Sequence, residues 1–233
     1  MKIDYQEIET GFRGERCFVH ARGAVSPDGR EIIITTQPLR LSGCDVFYGL
    51  HMLRSTDGGK SWSEIVEQPE LRRRACGDGL EIAMSDATPA WHAVSGRFLL
   101  TGHSVLYRND ELFPSPRPRC TLYSVFDSAA GRWTVPKTLE MPGDWFNCGA
   151  GCTQRVDLDN GEILLPVYFM SREESMEPQK HSFRSAVVRC SFSGEEMRVL
   201  EIGRPLEVDV PRGLGEPSLA RIGSDFYLTM RND

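Results

Sequence analysis

The chain has 233 residues, 40% of them hydrophobic and 26% charged, and carries a formal net charge of −6 at pH 7. That is the composition of an ordinary soluble globular protein, and the acidic balance excludes a general nucleic-acid binder, whose phosphate contacts need a basic field. No apolar run approaches the ~20 residues of a membrane helix, and Met1-Lys2-Ile3-Asp4-Tyr5 does not open a signal peptide, so no membrane partner and a cytoplasmic location are expected.

Seven cysteines (17, 44, 76, 120, 148, 152 and 190) are an odd number without framework spacing, which favours reduced thiols. Cys148 and Cys152 stand four apart with no second pair or His-x-x-x-His after them, so neither a metal nor a cofactor is expected.

Along the chain a turn rich in Gly, Asp or Asn recurs four times, each time followed by an apolar run. The first is Ser26-Pro27-Asp28-Gly29 leading into Ile32-Ile33-Ile34, and the second is Ala93-Val94-Ser95-Gly96 leading into Phe98-Leu99-Leu100. Next come Leu158-Asp159-Asn160-Gly161 before Ile163-Leu164-Leu165, and Ile222-Gly223-Ser224-Asp225 before Phe226-Tyr227-Leu228. The turn glycines at 29, 96, 161 and 223 lie 67, 65 and 62 residues apart. Pro-Asp-Gly and Asp-Asn-Gly are hairpin chemistry, because the tight turn needs positive φ.

A second pattern falls between the copies. Ser55-Thr56-Asp57-Gly58-Gly59-Lys60-Ser61-Trp62 has the form Ser-x-Asp-x-Gly-x-x-Trp, and it returns weakened from Ser124 to Trp133. Each unit of ~65 residues therefore reads as strand, turn, strand, strand, turn, strand, which is one propeller blade. The expected fold is all-β: three blades plus the first two strands of a fourth, in a single domain over residues 1–233. About 390 residues would complete six such blades, so a partial propeller is expected.

The Ser55–Trp62 segment resembles the Asp box, and the whole chain is similar to the sialidase (neuraminidase) superfamily of BNR-repeat propellers. In the box the carboxylate caps turn N–H groups and Trp packs between strands, so Asp57 and Asp127 are expected in peripheral turns. Gly215-Glu216-Pro217-Ser218, followed by Phe226-Tyr227-Leu228-Thr229-Met230-Arg231, resembles a sialidase stretch that supplies two site groups. The resemblance implies that Glu216 polarises a tyrosine nucleophile and that Arg231 belongs to a three-arginine clamp on the substrate carboxylate. It implies an acid/base role for Asp45, nine residues before Arg54. Sialidases open their first strand with Arg-Ile-Pro. Here the segment is Val19-His20-Ala21-Arg22-Gly23, so His20 or Arg22 stands in for that arginine, or the clamp is lost. The third arginine and the nucleophilic tyrosine are expected beyond Asp233.

The repeat register points to a site independently of the family. Second strands end near Gln37, His103, Tyr168 and Arg231, and first strands begin near His20 and Arg22, Asp86 and Thr88, Gln154 and Arg155, and Glu216. Equivalent positions meet at one end of the propeller axis, where such side chains would form a polar carbohydrate pocket. Catalytic Asp45 and Glu216, with binding residues His20, Arg22, His103, Arg155 and Arg231, form the expected set. Each has a structural alternative: His103 in the core, Arg155 paired with Asp157 or Asp159, Asp86 capping a turn. Tyr48, Tyr107 and Trp145 either stack on sugar or pack between strands.

Three activities fit: a sialidase-like hydrolase of acidic sugars, a lyase acting on uronic acids through His103 or a tyrosine, and a glycan-binding propeller without chemistry. Oligomeric state is not legible.

Overall fold

The computed structural model describes residues 5, 7, 11–12, 14–41, 45–177 and 182–232. Cys44 and the opening residues 1–4 lie outside them. β1 (Arg16–Val25), β2 (Ile32–Arg40), β3 (His51–Ser55) and β4 (Val66–Glu67) pair antiparallel in that order as one blade. The second sheet comprises β5 (Arg74–Gly77), β6 (Leu80–His92), β7 (Arg97–Arg108), β8 (Glu111–Leu112), β9 (Thr121–Asp127), β10 (Arg132–Trp133) and β11 (Lys137–Thr138). Its main path runs β10-β9-β7-β6-β5, so β6, β7, β9 and β10 are the four blade strands. In the third, β12 (Asn147–Gly149) and β13 (Val156–Asp157) both pair with β14 (Ile163–Met170). After the short helix α1 (Arg172–Met176), β15 (Arg184–Phe192) and β16 (Met197–Ile202) complete that blade. β17 (Gly215–Ile222) and β18 (Asp225–Arg231) form a two-stranded sheet. The architecture is a partial β-propeller of three blades and the inner hairpin of a fourth.

Blade stacking follows from the two-residue period of a strand. In β7 every residue from Phe98 to Ser104 is buried, as a strand between two neighbouring blades must be. Phe98 and Leu100 enter a cluster with Ile33, Leu50 and Met52 of the first blade. Leu99 faces the other way and packs with Ile163, Leu165 and Val167 of the third. Two polar ties cross the same seams: Trp133 Nε1 donates to Met52 Sδ at 3.3 Å, and the fully buried His92 places Nε2 2.9 Å from Gly161 O.

The Asp57 and Asp127 turns lie at blade edges. Asp57 Oδ1 accepts from Lys60 N (3.0 Å) and Ser61 N (2.9 Å), while Oδ2 accepts from the Ser61 hydroxyl (2.6 Å). Those bonds hold its carboxyl well below the usual range. Asp127 Oδ1 accepts from Ala129 N and Ala130 N, each at 3.0 Å. Neither carboxylate lines the axial cavity.

One feature of the first strands positions the site. His20, Asp86, Cys152 and Glu216 have φ of 55°, 53°, 59° and 47°, at spacings of 66, 66 and 64 residues. Strand register breaks across three of them, between Val19 and Arg22, Ser85 and Thr88, and Gly215 and Ser218. Each such residue is one more than the partner strand can pair, a β-bulge that re-aims its side chain. Left-handed backbone costs a non-glycine residue about 1–2 kcal/mol. Its return in all four units marks the end of the axis where side chains are presented.

Candidate functional site

All four of these left-handed residues line one cavity of about 670 Å³. The second strands reach the same cavity beside them. Val19 pairs with Gln37, Ser85 with His103, Gly149 with Tyr168 and Gly215 with Arg231, so the register read from the turns brings these positions to one level. His103, Tyr168 and Arg231 reach the cavity. Gln37 is fully buried behind it, and its side-chain amide donates to Tyr48 O (2.6 Å) and Met84 O (3.0 Å).

Asp86 is the centre of the polar chain. His20 Nδ1 lies 2.8 Å from its Oδ1, and His103 Nε2 lies 3.4 Å from its Oδ2. His103 Nδ1 in turn is 3.5 Å from Tyr168 Oη, which also accepts from the Arg119 guanidinium. Burial first, then the positive field of Arg119, lowers His103 to about 3, so the ring is uncharged at neutral pH. Burial pushes the Asp86 carboxyl up, but the His20 contact and nearby cationic groups outweigh it and hold it well below the carboxylate range. Burial pushes the Tyr168 phenol far above its ordinary value, so it stays protonated.

Two glycines make this packing feasible. A Cβ on Gly151 would sit 2.0 Å from His103 Nδ1, and one on Gly149 would sit 2.9 Å from Arg119 Cδ.

In the same lining Arg231 lies 2.9 Å from Glu216 Oε1, both partly exposed. Asp45 lines the cavity as well, and its backbone carbonyl accepts from Tyr107 Oη at 3.1 Å. Of the expected set, Asp45, Glu216, His20, His103 and Arg231 therefore meet. Arg22 and Arg155 do not line the cavity. Arg22 stands two residues past its bulge and points to Cys152 Sγ (3.3 Å) and Ala87 O (3.5 Å). Arg155 departs from the expected register: the chain turns at Gly151-Cys152 between β12 and β13, and Arg155 stands just before β13. Its guanidinium donates to Asp157 Oδ1 (2.8 Å), Leu99 O (2.9 Å) and Ala90 O (3.1 Å), tying two blades together.

Tyr48, Tyr107 and Trp145 stay out of the cavity lining. Tyr48 donates to Asp110 (2.9 Å), Tyr107 is fully buried, and Trp145 stacks on Phe169 at 3.7 Å. Sequence reasoning missed Arg117, Arg119, Asn147 and Arg212, which line the cavity from loops and strand starts that no repeat position marks. Cys152 was missed as well, although it continues the 66-residue spacing from His20 and Asp86.

No protein-family model matches the chain, and no curated protein sequence matches it. Solved structures do match. A protein of unknown function from Dyadobacter fermentans DSM 18053 is 14% identical, with a TM-score of 0.66 over 95% of this chain and 64% of its own. The Hadza microbial sialidase Hz136 is 12% identical, with a TM-score of 0.62 over 93% of this chain and 42% of its own. The haemagglutinin-neuraminidase ectodomain of parainfluenza virus 5 is 13% identical, with a TM-score of 0.59 over 98% of this chain and 52% of its own. The chain spans less than two thirds of the length of each of these structures. At such identity the likeness is one of fold, a sialidase-like β-propeller.

Proposed function

We propose that this chain carries the cleft of a sialidase-like glycoside hydrolase that takes an acidic, carboxylate-bearing sugar. The observation behind this reading is the cavity's charge: Arg117, Arg119, Arg212 and Arg231 share it with Asp45, Asp86 and Glu216. A planar guanidinium binds a carboxylate through two parallel N–H donors, which a neutral sugar has no use for. Carboxylates in the same lining supply proton transfer. In this reading Asp45 protonates the departing glycosidic oxygen. Glu216 draws the proton from a tyrosine nucleophile, the exception to the two-carboxylate scheme.

A second reading, elimination from a uronic acid, is favoured by the neutral His103 beside Tyr168 and Arg119. There the arginine would neutralise the carboxylate while histidine and tyrosine move the protons. Products decide between them. Incubation with a sialyl-oligosaccharide and with an oligouronide should release a reducing sugar without ultraviolet absorbance. An unsaturated, absorbing end would instead mark a lyase, and neither product would mark a binding protein.

A further inference from the structure

Arg119 and Asn147 are bridge partners across the seam between the second and third blades. The segment before β9 runs parallel to β12 there, with Arg119 N donating to Phe146 O (3.2 Å) and Cys148 N to Arg119 O (3.0 Å). Backbone bonds thus hold the two side chains next to each other at the cavity wall. The Arg119 guanidinium lies 5.3 Å from the Tyr168 ring centroid and donates to its hydroxyl, which orients the planar group. One bond occupies one of five guanidinium donors. Asn147 is 6% exposed, and its Oδ1 is buried without a hydrogen-bond partner among the described residues. Such an orphan costs about 1–3 kcal/mol unless a ligand group donates to it. Arg117 enters the same wall from two residues upstream, its guanidinium donating to Phe113 O at 2.7 Å. Burial, then the field of Arg119, pushes Arg117 below its ordinary value, so an anion between the two would relieve their repulsion.

We propose that Arg117, Arg119 and Asn147 form the subsite that reads the sugar acid, the arginines taking its carboxylate and Asn147 Oδ1 accepting from a neighbouring hydroxyl. This rests on the acidic-sugar reading. It assigns the anion to the seam between blades rather than to Arg231, which Glu216 engages. The recognised chemistry is a carboxylate with a hydroxyl a few bonds away, which hexuronic and nonulosonic acids both offer.

The test is a calorimetric titration of the purified protein with D-glucuronate, N-acetylneuraminate and their methyl esters. The native protein should prefer one acid over its ester, and Arg119→Lys should lower the affinity for that acid about tenfold and erase the preference, because an ammonium cannot replace the fork. Asn147→Ala should weaken acid and ester alike, since it reads the hydroxyl. Arg117→Gln, on a loop side chain with one carbonyl partner, repeats the test should Arg119 variants misfold. If the preference survives in the Arg119 and Arg117 variants and disappears in Arg231→Lys, this subsite is wrong while the acidic-sugar reading stands. If the native protein binds acid and ester equally, or neither, both fall.

Discussion

A histidine cut off from water resists charging, and His103 is such a residue, with a side chain 3% exposed. Asp86, His20, Arg22, Arg119 and Tyr168 face it, and the net effect of burial and of these neighbours is a value of about 3. In the unfolded chain the ring would charge near 6.5. As pH falls from about 6.5 toward 3, the unfolded state takes up a proton that the native state refuses, and stability declines. Asp86 has the opposite charge type but acts in the same direction: its depressed carboxyl loses stabilisation only below the ordinary carboxylate range. Urea midpoints should therefore fall between pH 6.5 and 4, and His103→Gln should flatten that slope; an unchanged slope would assign it elsewhere. Gly151→Ala tests the same packing sterically. Its methyl would overlap the imidazole, at a cost of about 1–3 kcal/mol in chemical denaturation. His103 was legible because it stands seven residues after a turn glycine, whereas Arg119 and Asn147 sit in irregular segments where no period applies.

Among the elements, the turns were the most legible, since Gly96 and Gly161 adopt φ of 63° and 82° that few residues tolerate. The left-handed positions were harder to read because His, Asp, Cys and Glu share no chemistry; only the backbone of the folded chain makes them equivalent. That is why Arg155 was placed at the cavity when it spans β6, β7 and β13 instead. Arg155→Met should cost about 3 kcal/mol, chiefly through an abandoned Asp157 carboxylate, since the Leu99 and Ala90 carbonyls stay paired in the strand ladder. Sugar binding to the folded fraction should be unchanged; weakened binding there would return Arg155 to the site. Cys152→Gly makes a different case. With φ at 59° the strain vanishes on substitution, so thermal stability should hold or rise, and a marked loss would show that the thiol contact to Arg22 outweighs the strain.

At the scale of the molecule, each central strand belongs to two cores. Leu99 and Leu100 are both fully buried and differ only in the face they serve. Truncating either to Ala should cost about 2–5 kcal/mol. Hydrogen exchange should separate them: Leu99→Ala loosens the second and third blades, and Leu100→Ala the first and second. Uniform loss of protection in both variants would mean that the blades open as one unit. The stacking was legible from the apolar runs, while the direction each side chain takes needed the register. The four left-handed residues carry a further consequence. Because the backbone of each unit delivers whatever side chain stands there to the same level of the axis, position and chemistry are uncoupled, and the mouth of the propeller behaves as a row of interchangeable sockets. Cys152, whose thiol burial raises to about 11 and so keeps inert at neutral pH, occupies the socket among these four that could be refilled with a carboxylate or an imidazole without displacing one already at the mouth.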